Sequence, residues 1–375
     1  MKIGKQIQLL SGQHIDAIYV NSMGDGIAYL TGPSDFIGKK PFATKYTEFP
    51  KIVCDKGDIL LTVKGSGTGS IAIADRAYCI SRQLMAIRCM RIDSVFTQYL
   101  IEQNESRFNK LAVGLIPGIS RSDVLNLIFP EISICEQKAI ADLLSTWDEA
   151  IEKTERLILA KERQFKGYIQ QTIGLKCEEW LHIKPKKIFD TITEKGFAEE
   201  ELLSVTQDRG VIPRNMLEGR VMSPDGTTDS YKRIKCGDFA ISLRSFQGGI
   251  EYSNYQGLIS PAYTVLRPKM EIKIDFYRLF FKSYLFVEKY LSLAVIGIRD
   301  GKQISIPDFM SIKIPVPPLQ EQRKIAETLN ASQKEIDLFK QLLDKYKQQK
   351  RGLMQKMLTG EWRVKPEIIN QYKGI

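Results

Sequence analysis

PVPPLQEQRKIAETLNASQKEIDLFKQLLDKYKQQKRGLMQ, residues 315–355, repeats without a gap the stretch PEISICEQKAIADLLSTWDEAIEKTERLILAKERQFKGYIQ at residues 130–170. Eleven of the 41 aligned positions are identical, among them Pro130/Pro315, Glu136/Glu321, Gln137/Gln322, Ala141/Ala326, Gly167/Gly352 and Gln170/Gln355. Unrelated stretches would share only a few. The offset of 185 residues is far too long for a solenoid period, so the chain is a duplicated half-protein. A duplicated protein suits a target that itself has two halves.

Both copies carry the pattern of a long helix. In the second, apolar residues fall at Ile325, Leu329, Ile336, Phe339, Leu343, Tyr346, Leu353 and Met357, with Ser332 and Lys350 filling two slots of an alternating four–three step. That step is a heptad seam. Shifted back, it reads Ile140, Leu144, Trp147, Ile151, Thr154, Ile158, Lys161, Phe165, Tyr168 and Thr172, in which Thr154, Lys161 and Thr172 are weak. Each helix is approached through proline, Pro130 in one and Pro315, Pro317 and Pro318 in the other, as suits the start of a helix and not its middle. Two matched helices with one narrow seam each are expected to pair with one another. A helix over residues 320–357 would be a rod of about 57 Å at ~1.5 Å per residue. Gly167 and Gly352 lie inside the pattern at equivalent places. Each costs about 1 kcal/mol relative to alanine, which points to a close contact or a local bend there.

The segments before each rod have another character. They are rich in Gly, Ser, Thr, Tyr and β-branched residues, with strand-like runs at 59–63, 70–74, 239–243 and 263–266. Turns punctuate them at Lys56-Gly57-Asp58, Cys236-Gly237-Asp238 and Gly248-Gly249. Helices are expected at Val95–Asn109 and Asp275–Leu291. The halves echo each other here too: Gly57-Asp58 matches Gly237-Asp238, and Pro117-Gly118-Ile119-Ser120 matches Lys302-Gln303-Ile304-Ser305. The order is globule, rod, globule, rod. The expected fold class is α+β: two globular domains with mostly antiparallel curved sheets, joined by two long antiparallel coiled-coil helices with pseudo-two-fold symmetry. The expected divisions are 1–130, 131–178, 179–314 and 315–375.

Bulk properties narrow the class. The hydrophobic fraction is 43%, ample for packed cores, and no apolar run is long enough for a membrane span. The apolar run near the N-terminus is too short and broken for a signal peptide. The six cysteines form no C-x-x-C, and only His14 and His182 offer imidazoles. A zinc site or disulfide framework is therefore not expected, and a reducing cytoplasm fits best. Net charge is +10, with 23 basic and 21 acidic residues before position 186 against 31 and 23 after it. A basic surplus suits a polyanionic partner.

The rods resemble the specificity (S) subunits of Type I restriction–modification systems. The signature runs from Ile314-Pro315-Val316-Pro317-Pro318-Leu319-Gln320-Glu321-Gln322 to Lys350-Arg351-Gly352-Leu353-Met354-Gln355, with a more degenerate first copy from Phe129-Pro130 through Glu136-Gln137. The globules are similar to that family's target recognition domains. Ser11-Gly12-Gln13-His14 with Tyr29-Leu30-Thr31-Gly32-Pro33 looks like one subtype; Leu203-Ser204-Val205-Thr206 with Gly210-Val211-Ile212-Pro213-Arg214 looks like another. The resemblance implies that 1–130 and 179–314 are target recognition domains, each reading one half of a split sequence in double-stranded DNA. The rods would set the spacer and dock DNA methyltransferase (M) subunits, with restriction/translocase (R) subunits joining the assembly. Chemistry would reside in those partners, which would use S-adenosylmethionine, ATP and Mg2+; this chain would hold no cofactor or metal. Two further readings are a recognition subunit of a Type II-like restriction–methylation enzyme, and a coiled-coil scaffold that binds no DNA.

An enzymatic reading finds little. Lys64-Gly65-Ser66-Gly67-Thr68-Gly69 is not G-x-x-x-x-G-K-[ST], no Asn-Pro-Pro-aromatic motif occurs, and no H-E-x-x-H is present. Asp300-Gly301-Lys302, the nearest nuclease-like pattern, reads as a turn. No catalytic residue is expected. DNA readout needs Arg or Lys for guanine, Asn or Gln for adenine, and small hydroxyls or glycine turns for phosphate. Such residues cluster at Lys64, Ser66, Thr68, Arg82, Gln83, Arg121 and Ser122 in the first globule. In the second they are Arg209, Arg214, Asn215, Arg244, Ser245, Gln247, Tyr252 and Tyr255. Arg244–Gly249 occupies the place of Lys64–Gly69, after the Gly-Asp strand of each half.

Overall fold

Both rods begin at equivalent residues, Ile134 and Leu319, and run unbroken to Ile169 and Leu358. The start is built the same way in each copy: the amide of Gln137 donates to Ser133 O and that of Gln322 to Pro318 O. A computed structural model describes residues 1–65, 67–111, 118–207, 209–217, 228–242, 249–296 and 303–373. The chain divides into two units, Met1–Glu155 with Leu342–Ile375, and Arg156–Gln341. Each holds one globular head and a length of both rods. No helix among the described residues is long and apolar enough to cross a membrane.

The pairing is antiparallel in each unit: from Asp148 to Glu155 the partner moves back from Lys350 to Lys347, and from Lys161 to Lys176, just beyond the first rod, it moves back from Glu335 to Glu321. In the first unit Trp147 meets Tyr346 edge-on at 5.6 Å, Lys350 reaches Asp148, and Lys347 reaches Glu155 at 2.7 Å. In the second, Lys340 pairs with Glu162 at 2.7 Å and Lys161 with Glu335 at 2.9 Å. The seam is buried at Ile140, Leu144, Ile158, Ile325, Leu329, Ile336 and Met357. Its weak positions are resolved locally. The Thr154 hydroxyl donates back to Ala150 O at 2.7 Å, and Lys161 becomes an inter-rod ion pair. Tyr168, by contrast, is exposed. No close contact is found at Gly167 or Gly352: a Cβ at either would meet nothing within 4 Å. Both face outward and lie within the helices, so no contact accounts for the glycine.

The first head is built on a four-stranded antiparallel sheet in the order Ile7–Ser11, Leu84–Cys89, Ile59–Thr62, Ile71–Ile73. The second head repeats that order with Phe189–Ile192, Tyr263–Pro268, Phe239–Ser242, Ile250–Tyr252, also antiparallel throughout. These strands read as continuous apolar runs because both faces are covered. Ile59 and Leu61 join a cluster with Phe96 and Leu100 of the helix Ser94–Gln103, while Leu60 faces Ala28, Tyr78 and Ile80 of a second layer. Phe239 and Ile241 likewise join Phe276, Tyr277 and Phe280, whereas Ala240 faces Leu203 and Ile259. Each such side chain contributes about 1.5–3 kcal/mol on burial.

The second layers differ. In the first head it is a mixed sheet, Lys45–Thr47, Ile27–Leu30, Tyr78–Ile80, Val53–Cys54, with one parallel pair. In the second head it is two ribbons, Leu203–Thr206 with Gly210–Pro213 and Lys232–Ile234 with Gly257–Ile259. The expected helices are both shorter. Val95–Asn109 is broken at Asn104 into Ser94–Gln103 and Glu105–Leu111. Asp275–Leu291 stops at Lys282, where Ser283 turns extended and its hydroxyl caps the next turn through the amide of Phe286.

The Gly-Asp turns are duplicated to the atom. Asp58 and Asp238 are 3% and 2% exposed. Arg88 grips Asp58 through Nε at 3.1 Å and Nη2 at 2.8 Å; Arg267 grips Asp238 at 2.9 and 2.7 Å. Each carboxylate also accepts the amide three residues back, Asp55 or Lys235. The pair fixes the start of the strand that leads in sequence to Lys64–Gly69 in one half and Arg244–Gly249 in the other.

Candidate nucleic-acid interface

In the first head, five segments meet at one edge. Val63 N donates to Gln83 O and Ile119 N to Val63 O, while Gln13 N donates to Ile80 O. The turn carrying Arg82 and Gln83 is pinned through Ser81: its amide donates to Leu30 O, its hydroxyl to Thr31 O at 2.5 Å, and its carbonyl accepts from Leu84 N. Glycine permits this crowding. A Cβ at Gly12 would lie 2.1 Å from Ser81 O, and one at Gly32 2.2 Å from Gln83 Oε1. The Ser11-Gly12-Gln13-His14 and Thr31-Gly32-Pro33 stretches are thus the walls that hold the turn carrying Arg82 and Gln83.

Lys64, Arg82 and Gln83 are exposed at this edge. Arg121 belongs to it but turns back, donating from Nη1 to Leu9 O at 3.2 Å and Ser11 Oγ at 3.0 Å. Ser122 Oγ lies 2.7 Å from Ser120 Oγ, at the start of a helix that Ser120 caps by accepting from Asp123 N. Thr68 is 6% exposed and donates its hydroxyl to Gly65 O at 2.7 Å, so it shapes the turn from within. Ser66 lies outside the described residues. A cleft of about 480 Å³ opens beside Arg82 and Gln83 and is lined also by His14, Ser22, Tyr29 and Lys45. These four were missed by residue-type reasoning, although His14 and Tyr29 stand in the motifs already singled out. Burial pushes the Tyr29 hydroxyl pKa up, and that oxygen accepts from Ile15 N at 3.3 Å.

In the second head, Arg209 sits on the hairpin between Leu203–Thr206 and Gly210–Pro213 and donates from Nη2 to Met216 O at 2.8 Å. Arg214 and exposed Asn215 form the short 3-10 turn that Met216 completes, and the Tyr255 hydroxyl lies 3.7 Å from Met216 Sδ. Arg209, Arg214, Asn215 and Tyr255 are thereby brought together. Tyr252 is placed otherwise: its ring packs on Phe239 at 5.5 Å, and burial, helped by nearby Cys236, pushes its hydroxyl up to about 12. It lines a narrow groove with Arg209, Arg278 and Lys282; the last two are helix residues that sequence reasoning passed over. Arg244, Ser245 and Gln247 lie outside the described residues, as does Asp300-Gly301-Lys302.

The duplicated Glu-Gln pair proves to be a fastener between head and rod. Gln137 is buried; its Oε1 accepts from Asp93 N at 2.9 Å and its Nε2 donates to Ile132 O at 3.2 Å. Gln322 does the same with Lys273 N at 2.8 Å and Pro317 O at 2.8 Å. Asp93 and Lys273 are the N-cap residues of Ser94–Gln103 and Ile274–Lys282. Each glutamine therefore ties the longest helix of a head to the start of a rod. The glutamates hold the tail beyond the opposite rod. Glu136 takes a bidentate Arg363 at 2.8 and 2.7 Å, which holds its carboxyl below the usual range. Glu321 accepts from Lys176 Nζ at 2.9 Å and Trp180 Nε1 at 3.0 Å, and is lowered chiefly by the lysine.

The DNA specificity domain of Type I restriction–modification systems matches residues 30–161 and 223–348, one match in each half. The Type I restriction enzyme MjaVIII specificity subunit of Methanocaldococcus jannaschii is 26% identical over 402 residues, covering 97% of this chain and 93% of the relative. The putative type I restriction enzyme MjaX specificity subunit of the same organism is 30% identical over 151 residues, 40% of this chain and 35% of its own. The fold is that of the S subunit of the Type I restriction–modification system from M. genitalium (TM-score 0.56, 22% identity, 96% and 95% of the two chains). It is likewise that of the HsdS subunit from Thermoanaerobacter tengcongensis (TM-score 0.54, 16% identity, 96% of each). With its duplicated rods and two heads, the chain belongs to the Type I restriction–modification DNA specificity family, as a specificity subunit.

Proposed function

We propose that this chain reads a bipartite target in double-stranded DNA for a Type I complex, one half-site per head, and docks M and R subunits. The observation that carries the proposal is the contrast inside the duplication. The Gln137 and Gln322 clasps and the Asp–Arg pairs are alike, while the sequences of the turns at the head edges, Lys64–Gly69 and Arg244–Gly249, are not. Parts that share one mechanical job keep one chemistry, and parts that touch different bases diverge. Lys64, Ser66, Arg82, Gln83, Arg121 and Ser122 serve the first half-site in this reading. Arg209, Arg214, Asn215, Arg244, Ser245, Gln247 and Tyr255 serve the second, with Thr68 and Tyr252 supporting them from within. The chain itself is non-catalytic; methyl transfer from S-adenosylmethionine and ATP- and Mg2+-dependent cleavage belong to the partners. The site of action is the cytoplasm.

The test is a mobility shift of this chain with its purified methyltransferase partner, followed by sequencing of the methylated bases in a host carrying the system. A split motif with two dissimilar halves is expected; no preference for any duplex with the partner present would refute the proposal. Deleting seven residues from one rod is expected to change the spacer or abolish activity while leaving half-site preference intact. Altered half-site sequences in that variant would overturn the division of labour.

A further inference from the structure

The cleft of the first head has features that an ordinary solvated loop lacks. Arg82 and Lys45 are exposed on it, and among the described residues neither takes a hydrogen bond or an ion pair. Some other cations of this head are engaged, Lys39 on Glu102, Lys51 on His14 O, Arg88 on Asp58 and Arg121 on Ser11, while Lys64 at the same edge is exposed as well. What sets Arg82, Lys45 and the Gln83 amide apart is that they line one concave surface together. The turn that presents Arg82 and Gln83 is held by four hydrogen bonds of Ser81, one of them from Gln83 N to its hydroxyl, and by two close glycine approaches. Support of this kind is what base readout needs and what a phosphate contact can do without.

Resting on the function proposed above, we infer that this cleft is the base-reading pocket of the first head and takes the major-groove edges of two neighbouring purines. Arg82 has the fork that matches guanine O6 and N7, and Gln83 the donor–acceptor pair that matches adenine N6 and N7. Consecutive residues are about 3.8 Å apart and stacked bases about 3.4 Å apart along a strand, so adjacent side chains on a tight turn can address adjacent base pairs. Lys45 and His14 stand on the walls, where the phosphates flanking those bases would run. The second head has two ribbons in place of the mixed sheet that forms this wall, so the pocket is particular to one half-site.

The experiment is methylated-base sequencing with the assembled complex carrying Arg82→Ala, Gln83→Ala or Ser22→Trp, backed by competition binding at several salt concentrations. Arg82→Ala and Gln83→Ala are expected each to relax one position, both in the same half-site, lowering discrimination there roughly 5- to 150-fold. The other half-site should be untouched. Ser22→Trp, an exposed substitution that fills the cleft, is expected to abolish methylation of the target with no change in melting temperature. Unaltered discrimination in both Arg82→Ala and Ser22→Trp would overturn the inference. So would a loss in Arg82→Ala that is equal for all sequences and comes with a shallower salt dependence, since that is the behaviour of a phosphate contact. If Arg82→Ala fails to fold, Ser22→Trp decides. A wild-type complex without any sequence preference would instead refute the proposed function itself.

Discussion

In the first unit the head helix meets the rods through charge. Tyr99 donates to Asp148 Oδ2 at 2.6 Å, Lys350 reaches the other carboxylate oxygen at 2.5 Å, and its ammonium sits 4.9 Å from the Tyr99 ring centre. In the second unit the same three places are Leu279, Gln333 and Phe165. Leu279 is a member of the core there and Phe165 packs against it. Yet the glutamine clasp at the start of the rod is the same in both. The difference teaches where constraint lies. A backbone amide at the start of a head helix must find an acceptor in either half, and a buried glutamine is a side chain that can reach it. The contact further along the rod has only to be filled, and it can be filled by an oriented ion pair or by apolar bulk.

The largest expected effect tests what the halves share. Arg88→Met and Arg267→Met each strand a buried aspartate, and each is expected to cost about 3–5 kcal/mol, read as a fall in the thermal or denaturant midpoint. A near-neutral result in either head would break the equivalence of the two turns. Next come Gln137→Leu and Gln322→Leu, which leave the amides of Asp93 and Lys273 without an acceptor. About 1–3 kcal/mol is expected for each, with faster hydrogen exchange at those two amides. A loss confined to one variant would show that the clasp matters in one head only.

Smaller effects sharpen the contrast at the rods. Lys350→Met is expected to be more damaging than Lys350→Met with Asp148→Leu, because the single change leaves a carboxylate half-buried and the double change mimics the second unit. A coupling of about 1 kcal/mol in a double-mutant cycle is the expected reading; additive losses would mean that the pair is not one device. The smallest effect is with pH. Glu136 and Glu321 are lowered in the fold by Arg363 and by Lys176. The stability they contribute is therefore full above the ordinary carboxylate pKa and drains away as pH falls through the lowered values. Unfolding midpoints should drop in that acid range, and the drop should shrink in Glu136→Gln and Glu321→Gln. The slope is shallow because the Arg363 and Lys176 side chains are 57% and 55% exposed, where solvent screens the pair.

Much of this plan was legible in the sequence because it is periodic or repeated. The seam, the proline approaches and the matched stretches that place the two rods at equivalent residues all leave local patterns. The antiparallel sheets followed from the Gly-Asp turns and apolar runs. Other features leave no such trace. Arg88 and Arg267 complete the Gly-Asp turns from strands about thirty residues away, a separation that no short-range pattern marks. Residue type does not foretell burial either: Thr68 turns its hydroxyl into its own loop, and Tyr252 packs on Phe239. The broken helices at Asn104 and Ser283 were hidden because apolar spacing continues past a local cap.

The sequence by itself determined that this protein is two related halves, each a head on a rod, because hydrophobic period and repetition are properties of the chain alone. Only the tertiary structure decided what the repeated Glu-Gln pair does and which polar residues face outward together. Those outcomes depend on which backbone amides are left without partners and which carboxylates are stranded in the core. Such debts are set when distant segments pack. Gln137, Gln322, Arg88 and Arg267 settle them, and Arg82 and Lys45, left over at the surface, are free to bind something else.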